Sequence, residues 1–279
     1  MKKLLLLVLL LGNGLFAKAQ TNVDFGVIGG VALYSGDLSP DPAGFSLDDL
    51  GLSGGIFLRY QFQKWIAFRP GLTFLQLKGE DQRPSNRSRG LNFQTNVYEL
   101  SGIFEISPFS IGYYSSNTVI VPYLAVGVGA FRFNPKGTYN GETYELQPLG
   151  TEAQGIDGRP GLYSRFGVNF PVGGGIKFVI NDNITVGYEL MGRILRTDYI
   201  DDISGTSVRY GDVLENRGEA AAIASAPNLS LETNPDLTYR RGGNFNDFYF
   251  LSMLHVSFRF SYGDTVYRPG KKGVMCPRF

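Results

Sequence analysis

The segment Asp247–Gly263 reads DFYFLSMLHVSFRFSYG, and its alternation decides the fold. The even positions are apolar or aromatic with the exception of Ser252, whereas the odd positions include Asp247, His255 and Arg259. This period of two indicates a strand with one face in hydrocarbon or a core and the other face in polar surroundings. Soluble strands average about 5 to 6 residues, whereas a tilted bilayer crossing needs about 9 to 11. The segment therefore predicts the closing strand of a membrane β-barrel.

The N-terminus has the features of a secretory signal peptide. Two lysines precede the apolar run Leu4–Leu11, and the triplet Ala17-Lys18-Ala19 provides the small-x-small end. We expect residues 1–19 to be removed after Ala19. The absence of a cysteine near this site argues against a lipoprotein. No later stretch provides the roughly 18 consecutive apolar residues of a transmembrane helix.

The same alternation predicts seven earlier strands, at Val23–Ser35, Leu52–Gln63, Trp65–Lys78, Phe93–Ser107, Thr118–Phe133, Phe166–Ile180 and Ile184–Thr197. The fifth of these strands is apolar on both faces, so we expect its inner face to lie in a packed part of the interior. Pro122 within it requires a bulge or a weak pairing position, because proline has no backbone N–H to donate.

The lengths of the connections predict the topology. Short connections follow the second and sixth strands, and a medium one (Pro108–Asn117) follows the fourth. Transmembrane barrels have short periplasmic turns and long external loops. The expected external loops are residues 36–50, 79–92, 134–165 and 198–246. The prediction is an all-β fold: one eight-stranded antiparallel transmembrane β-barrel of the outer membrane over residues 20–263, with both termini and the tail 264–279 in the periplasm.

A soluble, lipocalin-like barrel is the alternative, and it would turn its apolar alternation inward. The charges on the polar face argue against it, because a small soluble core could not hold them. The charged residues expected in the interior are Asp24, Arg59, Arg69, Glu99, Glu105, Lys177, Glu189, Arg193, Asp247 and Arg259. An eight-stranded barrel is just wide enough for side chains to fill, so we expect these charges to pair and plug it. A proton or ion path through them is the alternative.

Composition limits the function further. The net charge of +1 gives no electrostatic support for a nucleic-acid partner. The 37 glycines and 14% aromatic residues fit many strands, tight turns and interfacial rings.

The lone Cys276 excludes an internal disulfide and a cysteine-based metal site. It leaves three possibilities for this residue: a free thiol, a bond to another chain or an inert side chain. We find no phosphate loop, dinucleotide fingerprint or metal cluster, so no cofactor and no metal are predicted.

His255, the only histidine, is expected to face the interior of the last strand. A serine and a carboxylate beside it would complete a hydrolase triad, as in some barrel lipases and proteases of the outer membrane. A histidine at such a position is more commonly a satisfied interior residue. We therefore predict no catalytic residues.

Segments along nearly the whole chain resemble one known family. They are GVIGGVALYSGDLSP (26–40), GLSGGIFLRYQFQKWIAFRPGLTFLQLKGED (51–81), NVYELSGIFEISPF (96–109), VPYLAVGVGAFRFNPKG (121–137), NDNITVGYELMGRILRTDYIDDISGTSV (181–208), RGGNFNDFYFLSMLHVSFRF (241–260) and RPGKKG (268–273). On these segments, which are strands and loops, the chain resembles the PorG-like family of outer-membrane β-barrels of the type IX secretion system. The resemblance implies a barrel that contacts a periplasmic ring formed by a lipoprotein and its partner. It implies no catalytic residues.

The sequence thus predicts a non-enzymatic outer-membrane barrel that contacts outer-membrane lipids. By resemblance, it is an accessory or anchoring component of type IX protein secretion. A generic small barrel for envelope stability or adhesion and a barrel lipid hydrolase or protease are the alternatives. The tail carries four basic residues, and a short basic segment can order on an acidic partner surface. The expected docking residues are Arg268, Lys271, Lys272 and Arg278.

Overall fold

The computed structural model describes residues 22–39, 47–63, 65–81, 89–109, 111–112, 119–181, 183–229, 234–243 and 246–260. The strands are β1 (Asn22–Ser35), β2 (Gly51–Gln63), β3 (Ile66–Glu80), β4 (Asn92–Ile106), β5 (Ile111–Gly112), β6 (Val119–Arg132), β7 (Lys136–Tyr139), β8 (Glu142–Glu145), β9 (Phe166–Val179), β10 (Ile184–Leu195), β11 (Ser207–Arg209), β12 (Thr238–Arg240) and β13 (Phe248–Arg259). The helices are α1 (Leu146–Leu149), α2 (Tyr210–Arg217) and α3 (Glu219–Ser225), with a 3-10 turn at Leu47–Asp49. The predicted signal peptide 1–19, the tail 264–279 and its Cys276 lie outside the described residues.

Eight long strands form a closed barrel. Each pairs antiparallel with its neighbours in the order β1, β2, β3, β4, β6, β9, β10 and β13. The last strand returns to the first, and their register runs without interruption from Asp24 opposite Arg259 to Ser35 opposite Phe248. The predicted eight-stranded antiparallel β-barrel is therefore confirmed.

The two faces of the barrel wall differ sharply in polarity. On β13, Leu254 is 63% exposed and Phe258 45%, whereas the intervening His255 is 1% exposed. The other barrel strands repeat this arrangement, with large apolar side chains on the outer face and charged side chains inside. A soluble barrel would place its apolar side chains in the interior, so the lipocalin-like alternative is wrong. An outward apolar band is what a strand needs in hydrocarbon.

Tight connections join β2 to β3 and β9 to β10 at one end of the barrel, as the sequence predicts. On β6, Pro122 stays in register with Ile176 of β9 without a bulge. On its other side, β6 pairs with β5 at Ile120 and with β4 only from Leu124 onward. Pro122 therefore lies between two partners, at a position where a missing N–H donor costs little.

At the opposite end, the connections are more ordered than their polar sequences indicate. The segment 134–165 contains the β7–β8 hairpin and α1, and 198–246 contains β11, β12 and both longer helices. We call the described residues within 133–165 and 196–247 the cap. No helix in the described part of the chain is long and apolar enough to cross a bilayer.

An apolar core joins the cap to the end of the barrel. Leu75, Val97 and Leu251 point inward from barrel strands and cluster with Leu146 and Ile200 of the cap, all at most 1% exposed. A second cluster packs α2 and α3 against the rest of the cap. Because burial of apolar surface is the dominant stabilising term in folding, these clusters explain why the long connections fold over the barrel mouth.

Candidate functional site: interior ion network and cap

Glu105 lies at the centre of a buried ion network near the barrel end opposite the cap. Its carboxylate accepts hydrogen bonds from Arg59 Nε at 2.9 Å and from Lys177 Nζ at 2.9 Å. Arg69 Nε lies 3.1 Å from the other oxygen, Oε1. Arg59 Nη1 also lies 3.9 Å from Asp24 Oδ2. Alternation places these residues on the inner faces of five strands, so one carboxylate serves three cations across the lumen.

Glu189 and Asp24 extend this network on either side. Arg69 Nη1 lies 2.7 Å from Glu189 Oε2, and the Tyr123 hydroxyl donates to the same oxygen at 2.8 Å. Asp24 Oδ1 accepts a hydrogen bond from Arg259 Nε at 2.8 Å. The Arg259 side chain is 20% exposed, whereas the other members are nearly fully buried. The network therefore crosses the barrel and reaches solvent at its rim.

Glu99 and Arg193 form a separate pair closer to the cap, with Nε 3.1 Å from Oε2. Asn169 Nδ2 and the Tyr249 hydroxyl donate to the same carboxylate at 2.7 and 3.0 Å. On β4, Ile103 lies between this pair and the Glu105 network and belongs to a small apolar cluster. Nine of the ten predicted charged residues thus lie inside the barrel, in these two groups; the tenth, Asp247, does not join either group.

The lumen is filled at the level of these groups. Arg59, Glu105 and Glu189 are at most 1% exposed. Water in an open channel would reach their side chains. An ion that crossed the lumen would need such water around it, because an uncompensated charge in a low-dielectric interior is costly. The paired side chains point into the lumen and plug it with salt bridges.

His255 lies in the same interior but outside these hydrogen bonds. Its ring packs edge-on against Phe57 at 5.7 Å between centroids. Neither ring nitrogen has a hydrogen-bond partner among the residues that the structure describes. No serine or carboxylate of that part of the chain is hydrogen-bonded to it, so a hydrolase triad is not assembled there.

A second polar cluster lies beneath the cap. Tyr34 Oη lies 2.6 Å from Asp201 Oδ2 and 2.9 Å from Asp247 Oδ1. A phenol has one proton and can donate it to only one carboxylate. The second contact therefore needs a proton on a carboxyl group. Burial is the main cause that raises the pKa of both Asp201 and Asp247. The next cause is the charge of Asp247 for Asp201 and the charge of Asp198 for Asp247, and Asp37 adds to both.

Arg241 holds the adjacent part of the cap together. Its Nη1 donates to Thr151 Oγ1 at 2.6 Å and to the Asp202 backbone carbonyl at 2.7 Å, and it lies 3.1 Å from Asp202 Oδ2. The Tyr163 hydroxyl donates to Asp202 Oδ1 at 2.7 Å. Burial still raises the pKa of Asp202, although Arg241 opposes that effect. The polar groups of this cluster thus bind one another across two connections, the one between β6 and β9 and the one between β10 and β13.

Sequence reasoning placed Asp247 with the interior charges and missed the cap cluster. Asp247 instead lies at the barrel rim, where its carboxylate also accepts a hydrogen bond from Ile200 N at 3.2 Å. Two sequence features could have indicated this cluster. They are the acidic run at 198–202 and the basic pair Arg240-Arg241 later in the chain. No group of His, Cys, Asp and Glu in the described ranges could hold a metal ion. The predicted docking residues lie outside those ranges; they are Arg268, Lys271, Lys272 and Arg278.

Comparison with known proteins gives the family. Residues 4–212 match the family described as "Outer membrane protein beta-barrel domain". No curated protein matches the chain. The chain is similar to the solved structure of Neisserial surface protein A, at 12% identity and a TM-score of 0.38, covering 87% of this chain and 98% of that one. It is also similar to Ail of Yersinia pestis (10% identity, TM-score 0.34, 86% and 97% covered) and to the N-terminal barrel domain of Pseudomonas aeruginosa OprF (12%, 0.33, 86% and 98%). The family match spans most of the sequence, and the chain therefore belongs to the outer-membrane β-barrel protein family.

Proposed function

We propose that this outer-membrane barrel is a non-enzymatic, non-conducting anchor in type IX protein secretion. In this role it contacts a periplasmic ring formed by a lipoprotein and its partner, with the cap on the cell surface and both termini in the periplasm. The observation that carries the non-conducting role is the buried Glu105 network, which fills the lumen with ion pairs. The secretion role is supported by the sequence segments that resemble the PorG-like family.

The proposed contact uses the basic tail 264–279, which follows a strand that ends opposite the cap. Four cations with one acid, Asp264, give this tail an electrostatic preference for an acidic partner. The cap surface lies on the other side of the membrane from such a partner. A tail variant and a cap variant should therefore differ in their effect on the complex.

The test is co-purification from detergent-solubilised membranes of cells that secrete by the type IX route. The full chain should retain the ring proteins, and a chain with all four tail cations changed to Gln should lose them. The matched control changes Arg159 and Arg209 of the cap to Gln. Failure of the full chain to retain ring proteins, together with normal secretion in a deletion strain, would overturn the proposal.

Envelope stability or adhesion through the cap is the second candidate. It is favoured by the order of the cap, which presents the β7–β8 hairpin and its exposed turn at Asn140-Gly141 on the surface. A deletion strain with intact secretion but increased detergent sensitivity or reduced attachment would support this candidate instead. Hydrolytic activity that is lost on His255→Ala would point to a barrel enzyme.

A further inference from the structure

The outer wall of the barrel carries a row of aromatic side chains with one arginine among them. Cross-strand pairing aligns Phe74 of β3 with Tyr98 of β4, Tyr98 with Arg132 of β6, and Arg132 with Phe166 of β9. The rings of Phe74 and Tyr98 contact each other at 5.2 Å. The Arg132 guanidinium lies 5.7 Å from the centroid of the Phe166 ring. Aromatic rows of this kind mark the membrane–water boundary of barrels.

Below this row, toward the middle of the barrel, lies an apolar groove of about 500 Å³. Its floor includes Leu72, Leu100 and Ala130, which occupy the next outward row. The outward positions Gly54 and Ala130 have little or no side chain, so the taller neighbours on either side leave a depression between them. The groove has the apolar lining of an acyl-chain site on the lipid-facing wall.

Above the row lies a polar groove of about 800 Å³ between the barrel wall and the β7–β8 hairpin. Lys78, Gln94 and Lys136 lie side by side in one cross-strand row at its base. Amide and hydroxyl side chains line the rest of the surface with three carboxylates; the lining includes Asp48, Asp49, Glu80, Asn92, Asn96, Asn134, Thr138 and Thr143. Such a mixture of donors and acceptors suits a sugar, whose hydroxyl groups both donate and accept hydrogen bonds.

The two grooves share Tyr98 and Arg132. In the described part of the chain, Arg132 makes its cation–π contact and no ion pair, and its side chain is exposed. A guanidinium at an apolar boundary can bind a phosphate through two parallel hydrogen bonds. We propose that the joined grooves bind one amphiphile of the outer leaflet, an acylated sugar phosphate, with its phosphate on Arg132. The acyl chain lies over Ala130, and the sugar lies between Lys78 and Lys136.

This inference rests on the proposed orientation of the cap toward the cell surface for its choice of leaflet. Its binding chemistry does not depend on the secretion role. A zwitterionic phospholipid is the competing occupant, because the carboxylates of the polar groove could receive its amine. The polar groove, at about 800 Å³, is larger than the apolar groove, and this volume favours a sugar over the smaller ethanolamine group.

The test measures lipid binding by native mass spectrometry on the full-length barrel in detergent micelles. The probes are diphosphoryl lipid A and dioleoyl phosphatidylethanolamine. Arg132→Gln should weaken lipid A binding by about tenfold, the size expected for one charge-assisted contact. The matched control is Arg196→Gln, which changes an exposed arginine at the same end of the barrel outside both grooves. Equal affinities of these two variants would overturn the assignment of the phosphate.

A second pair of variants tests the acyl groove without changing charge. Ala130→Phe should fill the groove and reduce lipid A binding, whereas Val128→Phe on the same outward face should leave it unchanged. Heat-modifiable migration on gels verifies that each barrel is folded. A preference of the wild-type barrel for phosphatidylethanolamine over lipid A, or full binding by Ala130→Phe, would overturn the proposal. Binding in micelles is independent of sidedness and of ring proteins, so its failure and that of the secretion role are distinguishable.

Discussion

At the scale of single residues, Glu105 has the greatest consequence for the barrel interior. It lies 1% exposed among Arg59, Arg69 and Lys177, which come from three other strands. Taking such charges out of water is costly, and their mutual attraction offsets that cost only while every partner is present. The interior is therefore sensitive to the loss of this one carboxylate, even if the complete network contributes little net stability.

We expect Glu105→Gln to destabilise the folded barrel by about 3 to 5 kcal/mol, because it leaves buried cations without their shared anion. Urea unfolding in lipid vesicles measures the effect. Glu145→Gln is the control, since this carboxylate is 47% exposed in its ion pairs with Lys136 and Arg165. Its loss should cost about 1 kcal/mol or less. Similar losses for the two variants would contradict the role of Glu105.

Two adjacent residues of β13 test the assignment of faces. Leu254 is 63% exposed on the outer wall, so Leu254→Arg should destabilise by about 2 to 4 kcal/mol near the bilayer midplane. Met253 is 2% exposed in the apolar core under the cap. Met253→Arg should therefore also destabilise, since the lumen there is packed. Leu254→Phe should be tolerated in the same refolding titration, and a large loss for it would contradict a lipid-facing position.

At the scale of elements, the cap is held by carboxyl groups that favour their protonated form. Burial, followed by the charges of Asp37 and Glu152, raises the pKa of Asp198 to about 7 from 3.8. The pKa values of its neighbours Asp201 and Asp247 are also raised. A group whose pKa is raised on folding binds more protons in the folded state, so its stabilising contribution is lost as the pH rises.

We expect the cap to loosen as the pH increases from about 5 to 8, because this range spans the raised pKa of Asp198. Hydrogen–deuterium exchange at Ile200 and Ile203 measures it, since these amides donate to Asp247 and Asp201. After correction for intrinsic exchange rates, protection should be lower at the higher pH. Asp198→Asn should reduce the change, and Asp236→Asn, at an exposed cap carboxylate, should not. Equal protection at both pH values in the wild type would contradict this mechanism.

At the scale of the whole molecule, the barrel has two unlike ends. One end has tight connections such as the one between β9 and β10, and the other is covered by the cap. An extended apolar band on the outer wall separates them. This asymmetry is that of a barrel with short turns on the periplasmic side and long connections outside, and it predicts the sidedness of the protein in cells.

An epitope inserted after Gly141, in the exposed turn of the β7–β8 hairpin, should be labelled by antibody on intact cells. An epitope inserted after Asn183 should be labelled only once the outer membrane is opened. Both sites are exposed turns, so neither insertion should disturb the apolar core. An insertion near Ala222 would not serve, because that residue is buried in α3. The reverse pattern of labelling would invert the topology.

The sequence by itself determined the barrel and its two faces. Side chains alternate across a strand with a period of two, so a local pattern such as that of Phe248–Arg259 is enough to assign outward and inward positions. The same pattern identified Glu105 and Arg193 as interior residues before any pairing was known. Local periodicity is independent of the partner strand, and this is why it can be read along the chain.

Only the tertiary structure decided which interior charges meet and how the cap folds. Glu105 bonds to Arg59 and Lys177 across 46 and 72 residues of sequence, a pairing set by the register of the closed barrel. The cap depends on apolar residues such as Ile200 and Leu146, which lie in polar segments and become a core only when the barrel end supplies Leu75 and Leu251. Contacts of this kind join segments that are distant in sequence. They stabilise the protein only after closure of the barrel has brought those segments together.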